Sequence, residues 1–221
     1  MTRFLDIFFS GLAILFLSPL ILSLVVILRF TGEGKIFYLQ NRVGKNRKLF
    51  KLIKFVTMIE NSSKIGTGTI TIENDPRILP FGFFLRKTKL NELPQLFNVF
   101  LGNMTIIGPR PQTERCFGAY SSEAKEAVVS VKPGLSGIGS IFFRDEEEMY
   151  PDDYDIDLFY NNVIMFYKGN LETWFLKNNN LKMYFILIFL TIFFLFSPSK
   201  KILWKLFSDL PTPPDSLKKF I

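Results

Sequence analysis

Histidine is absent from the 221 residues, and cysteine occurs once. Without histidine there is no Ser-His-Asp hydrolysis, no imidazole general acid–base catalysis and no ordinary zinc site. A single thiol, Cys116, forms no internal disulfide; it fits a reducing cytosolic compartment and is read as inert. Catalysis is left to Asp, Glu, Lys, Arg, Tyr, amides or a metal held by oxygen. Internal repeats are also lacking. What is present is unusual for a soluble chain: apolar residues are 48% of the sequence, 26 positions are Phe, and the formal net charge is +7. Apolar and basic together point to a membrane bearing anionic lipid, or to a phosphate-rich ligand at its surface. The length suits one domain with appendages.

Two segments seek a membrane. Residues 7–28 carry no charge and are long enough to cross a bilayer. No small-residue cleavage site follows, and the basic residues lie on the far side, unlike a signal peptide. Ser18 and Pro19 interrupt the segment: proline removes a backbone donor and favours a kink, and Ser18 can satisfy a freed carbonyl. A single kinked span and a hairpin that enters and leaves on one face both fit. Between Arg29 and Lys54 there are eight Lys or Arg and one acid, Glu33, which places this flank on the cytoplasmic side. The second segment, residues 183–196, would make about 21 Å of helix, short of the ~30 Å hydrocarbon core. Followed by Ser197-Pro198-Ser199-Lys200-Lys201 and the amphipathic residues 202–207, it reads as an interfacial helix pair, with a short transmembrane helix as the competitor.

In the polar part, residues 37–40 and 50–55 read as short strands around Gly44-Lys45-Asn46. Residues 64–74 form a loop or weak hairpin. Asp75-Pro76-Arg77 and Pro80-Phe81-Gly82 are turn signals, and residues 121–131 read as a helix ended by Lys132-Pro133-Gly134. Residues 144–157 carry eight acids and read mainly as solvated surface.

The chemistry concentrates in residues 86–111. Proline is tolerated in a helix's first turn, so Pro94 predicts a helix over 92–100 with Asn91 as its N-cap. Such an N-terminus turns free N–H groups and positive dipole outward, an anion site with Glu92 beside it, where a divalent metal can bridge carboxylate and phosphate oxygens. Arg110, between Pro109 and Pro111, offers its guanidinium from a restricted backbone and suits bidentate phosphate recognition. Arg77, Arg86 and Lys87 are candidates to complete the cluster.

These motifs resemble the bacterial sugar transferases, the monotopic phosphoglycosyl transferases. The resemblance runs from about Arg3 to residue 196. It includes Arg3-Phe4-Leu5-Asp6-Ile7, Ser18-Pro19, Gln40-Asn41-Arg42-Val43-Gly44, Lys54-Phe55, Asp75-Pro76-Arg77, Leu85-Arg86-Lys87-Thr88 and Glu92-Leu93-Pro94-Gln95-Leu96. Gly108-Pro109-Arg110-Pro111, Lys132-Pro133-Gly134-Leu135-Ser136-Gly137, Tyr167-Lys168 and Leu171-Glu172 also fit.

The resemblance implies transfer of a sugar 1-phosphate from a UDP-sugar to undecaprenyl phosphate, with release of UMP and use of Mg²⁺, as the initiating step of exopolysaccharide, O-antigen, capsule or glycoprotein glycan assembly. It implies a mainly helical α+β fold: a re-entrant membrane helix broken at Ser18-Pro19 (1–30), a cytoplasmic catalytic domain with short strands (31–180), and C-terminal interfacial helices and tail (181–221). Location follows at the cytoplasmic face of the bacterial inner membrane, with anionic lipid as a partner and a homodimer left open. Family members attack the β-phosphate with an Asp just before the Glu of Glu-Leu-Pro-Gln; here that position is Asn91, and the second family Asp is Asn103. Glu92 is then the expected catalytic carboxylate and metal ligand, with Asn91 beside it. Arg110, Arg86, Arg77, Lys54 and Gln95 are expected at substrate or phosphate. Glu92 as nucleophile, direct displacement by the lipid phosphate, and a weakened or inactive relative that binds without turnover are the three readings of Asn91. A nucleic-acid-binding reading is set aside because of the apolar segments and dense prolines, and a transporter reading for want of spans.

Overall fold

The computed structural model describes residues 2–151, 155–195 and 199–221, so Met1, Asp152, Asp153, Tyr154, Phe196, Ser197 and Pro198 lie outside the described residues. Helix α1 (Thr2–Phe30) is continuous through Ser18-Pro19, one helix rather than two arms. Pro19 has no N–H for the Leu15 carbonyl. The Ser18 hydroxyl donates to that carbonyl at 2.8 Å, as the sequence predicts. At 1.5 Å per residue α1 is about 43 Å long.

Its inner side docks on the domain from end to end. The Arg3 guanidinium donates to the Val99 and Phe100 carbonyls, at 2.6 and 2.7 Å. Asp6 accepts from the Thr105 hydroxyl, the Ile106 N–H and the Tyr184 hydroxyl. Farther along, Ile21, Leu24 and Leu28 bury against Phe55 and Leu85, each side chain contributing about 1.5–3 kcal/mol by leaving water. Its outer side, including Phe4, Phe8, Leu15, Phe16, Leu22 and Val26, stays exposed.

Strands β1 (Phe37–Val43) and β2 (Leu49–Phe55) pair antiparallel, longer than the alternation alone suggested, with Phe37 opposite Phe55 and Val43 opposite Leu49. Helix α2 (Pro80–Lys87) begins on Pro80, so the Pro80-Phe81-Gly82 signal is a helix start and not a turn; proline at the first position suits that role. Helix α3 (Gln95–Leu101) ends on Gly102, whose φ of 94° needs glycine. Strands β3 (Thr105–Ile107) and β4 (Gly134–Ser136) pair in parallel and enclose α4 (Glu114–Gly118) and α5 (Ser122–Val129), the latter capped by Ser121. Then come α6 (Ile138–Phe142), α7 (Ile156–Phe159), a π-turn over 160–164 and α8 (Met165–Lys177).

Helices α9 (Leu181–Phe193), α10 (Lys201–Leu206) and α11 (Asp215–Lys218) complete the chain. Read as an interfacial pair and tail, this end in fact supplies Leu187, Leu190, Leu203, Phe207, Leu210 and Leu217 to the same core as Phe142, Tyr167 and Phe175. Only one side of α9 faces outward, with Phe185, Phe189 and Ile192 exposed. The described architecture is mainly helical, with two small two-stranded sheets.

Candidate active site

Three elements bring the site together. A short 3₁₀ turn over 90–92, entered through Lys89 in a left-handed conformation, presents Glu92. Asn91 is therefore not an N-cap: α3 starts later, with Pro94 in the cap position, because the 3₁₀ turn uses up the residues preceding the proline. Strand β2 presents Lys54. The turn over 108–111 presents Arg110 and is pinned from both sides: the Gly134 N–H donates to the Pro109 carbonyl at 2.8 Å, and Arg42 to the Pro111 carbonyl at 3.0 Å.

Glu92 is the hub. Its carboxylate accepts two guanidinium N–H groups from Arg110, a bidentate pair, and the Lys54 ammonium at 3.4 Å. Burial alone would push the Glu92 carboxyl up, but the Arg110 and Lys54 charges together outweigh it and hold the group ionised, below the usual carboxylate range. Burial pushes the Lys54 ammonium down to about 7 despite the opposing attraction of Glu92. Arg110 is raised, first by Glu92.

These groups line a cavity of about 790 Å³, together with Arg42, Arg86, Lys89, Lys168 and Asn91. The volume is that of a small-molecule site. One wall is apolar and continues to Ala13 and Leu17 of α1 and to Ile188 and Ile192 of α9. A charged ligand and an apolar one thus share one opening.

Asn91 lines the cavity, is 6% exposed, and its side-chain oxygen has no partner. Gln95 is buried below, at 1% exposure, and does not line the cavity. Arg77 also lies outside it. Buried and ion-paired with Asp75, it donates to the carbonyls of Ser62, Ile65, Gly68 and Ile70, so this arginine, expected at phosphate, instead organises the loop over 62–70. Ser18 and Pro19 are in α1, away from the cavity lining.

The acidic stretch is not merely solvated. Glu147 ion-pairs with Arg86, and Glu146 accepts from Lys168 at 2.7 Å, both acids lining the cavity. Lys168 also lies 4.8 Å from the centre of the Phe143 ring. Glu146 and Glu147 are cavity residues that local sequence reasoning did not single out, and Lys168 entered only in the Tyr167-Lys168 match, with no role assigned. No local signal distinguishes Glu146 and Glu147 from their acidic neighbours, because their partners lie on α2 and α8. Among the described residues no group of three or more Asp, Glu or Cys converges as a metal cage. Between Arg110 and Lys54 the carboxylate is that of Glu92, a single donor suited to a metal that takes its other oxygens from phosphates.

The chain is similar to known sugar transferases. The family model described as bacterial sugar transferase matches residues 1–198. The exopolysaccharide production protein ExoY of Sinorhizobium fredii is 37% identical over 158 residues, covering 65% of this chain and 70% of that protein. The UDP-N-acetylgalactosamine-undecaprenyl-phosphate N-acetylgalactosaminephosphotransferase of Aeromonas hydrophila is 36% identical over 137 residues, 61% of this chain but 32% of that protein. The UDP-glucose:undecaprenyl-phosphate glucose-1-phosphate transferase of Klebsiella pneumoniae is 36% identical over 143 residues, 63% of this chain and 30% of that protein. The matches to these last two thus span about a third of their lengths.

Proposed function

The chain belongs to the bacterial sugar transferase family, and on that premise we propose that it moves a sugar 1-phosphate from a UDP-sugar to undecaprenyl phosphate, releasing UMP. One observation carries the reading: a cation-rich cavity centred on the Glu92–Arg110–Lys54 cluster opens beside the outward apolar sides of α1 and α9. A soluble nucleotide sugar and a lipid-borne phosphate need that junction. The exposed apolar sides of α1 and α9 would rest in the cytoplasmic leaflet, with α1 entering from that face.

The residues divide the work by charge. Arg110, Lys54 and Arg86 neutralise the diphosphate and hold it in place. Glu92 is ionised at working pH and is the carboxylate paired with Arg110 and Lys54. Its oxygen attacks the β-phosphorus, the bond to the bridging oxygen breaks, and UMP leaves with that electron pair. An oxygen of the lipid phosphate then attacks the same phosphorus, which frees the Glu92 carboxylate. Asn91, a neutral amide, adds no second negative charge against the incoming phosphates. Mg²⁺, when bound, would screen phosphate charge; Glu92 would be its protein ligand, with phosphate oxygens completing the shell.

A second reading, a binding module with little turnover, is favoured by Asn91 in place of the family nucleophile. Purified protein, a panel of UDP-sugars and undecaprenyl phosphate decide between them through UMP release. Glu92→Gln is expected to abolish release, and a phosphosugar adduct should map to the peptide containing Glu92. Undiminished release by Glu92→Gln would sink the assignment. No release from wild type with any sugar, together with UDP-dependent thermal stabilisation, would favour the binding module.

A further inference from the structure

The tripeptide Pro109-Arg110-Pro111 contains one main-chain N–H, because neither proline has one. That N–H, on Arg110, donates to Glu172 Oε1 at 3.3 Å. Glu172 lies on α8 and is fully buried, and its other oxygen, Oε2, has no partner. Room for it exists because residue 139 on α6 is glycine: a Cβ there would stand 2.3 Å from Glu172 Oε1. The turn's two outer carbonyls are already held by Gly134 and Arg42.

We propose that Glu172 is a positioning residue for the transfer site, clamping the Arg110 main chain from beneath so that the guanidinium is delivered in register with Glu92 and substrate phosphate. The inference rests on the proposed reading of that site. A buried carboxyl is an expensive choice for mere packing: an apolar side chain of similar size would fill the space without the unpartnered Oε2, but it would leave the Arg110 N–H with no acceptor. The groups that face Glu172 are Arg110 from the turn, Lys168 one helical turn back on α8, and Tyr120 from the α4–α5 connection. Burial pushes the Glu172 carboxyl up to about 8, against the pull of the Arg110 N–H and the Lys168 charge, so it is mostly protonated at neutral pH. Raising the pH above 8 would place a negative charge behind Arg110, where it competes with Glu92 and phosphate for the guanidinium.

Hydrogen exchange of the Arg110 amide and UMP release, both measured from pH 6.5 to 9.5 on the full chain in detergent micelles, test the clamp. Glu172→Gln keeps an acceptor of the same shape and is expected to retain Arg110 protection and release UMP within about threefold of wild type at pH 7. It should also lose the decline in release above pH 8 and the pH dependence of the Arg110 amide resonance. Gly139→Ala and Glu172→Leu should each speed Arg110 exchange and cut release by at least tenfold. Arg110 exchange unchanged in both of these variants overturns the proposal. If they do not fold, Glu172→Gln decides: a pH profile superimposable on wild type overturns it. Wild type that releases no UMP would refute the transferase reading, while Arg110 exchange would still report on the clamp.

Discussion

Removing the Asp6 carboxylate should uncouple α1 from the domain, and the structure sets the size of the effect. Asp6 is 3% exposed and accepts from the Thr105 hydroxyl at 2.9 Å, the Ile106 N–H at 3.0 Å and the Tyr184 hydroxyl at 2.9 Å. Asp6→Ala strands these three donors. A buried donor left unpaired costs about 1–3 kcal/mol. Tyr184 is 2% exposed and takes the upper part of that range, while the half-buried Thr105 hydroxyl and Ile106 N–H take the lower part. The sum is about 3–6 kcal/mol, which for a chain of this size corresponds to a fall in Tm of roughly 6–24 °C. Asp6→Asn keeps one acceptor oxygen and should lose about half as much. Fluorescence of Trp174 and Trp204 during thermal unfolding in detergent reads the change. A Tm for Asp6→Ala within 2 °C of wild type would refute the view that this network docks the helix.

Two further outcomes follow from the charges in the cavity. Lys54, pushed down to about 7, is cationic below that pH and neutral above it, so KM for the UDP-sugar should rise between pH 6 and 8. Lys54→Arg, charged throughout, should flatten that rise; an unchanged slope in the variant would remove Lys54 from the binding site. Glu147→Gln frees Arg86 from its ion pair and should lower KM about two- to fivefold, the scale of a partly exposed pair, whereas a raised KM would show that Glu147 itself serves substrate.

Much of the site was legible locally. Glu92 and Arg110 stand out because Pro94, Pro109 and Pro111 announce their backbone, and the motif around them identifies the family. Lys54 could be named only through the family resemblance of Lys54-Phe55. Arg77 misled because a short segment shows an arginine after a turn but not the loop that folds over it; only the chain from 62 to 70 returning onto it reveals the five acceptors that engage its guanidinium. Asn91 misled in a similar way, since an N-cap is inferred from a single helix boundary and a 3₁₀ turn moved that boundary by several residues.

By itself the sequence determined the absence of imidazole chemistry, the apolar N-terminal helix, the strand pair and the carboxylate–arginine core, because each follows from residue type or from spacing within one element. Tertiary structure alone decided that Glu146 and Glu147 face cavity cations, that α9 to α11 join the core, and that Glu172 lies beneath Arg110. Those contacts join residues 22 to 62 positions apart, or helices far along the chain, and no local periodicity encodes them. They arise when apolar faces pack and bring buried charges within reach of one another, where an unpaired charge is too costly to persist.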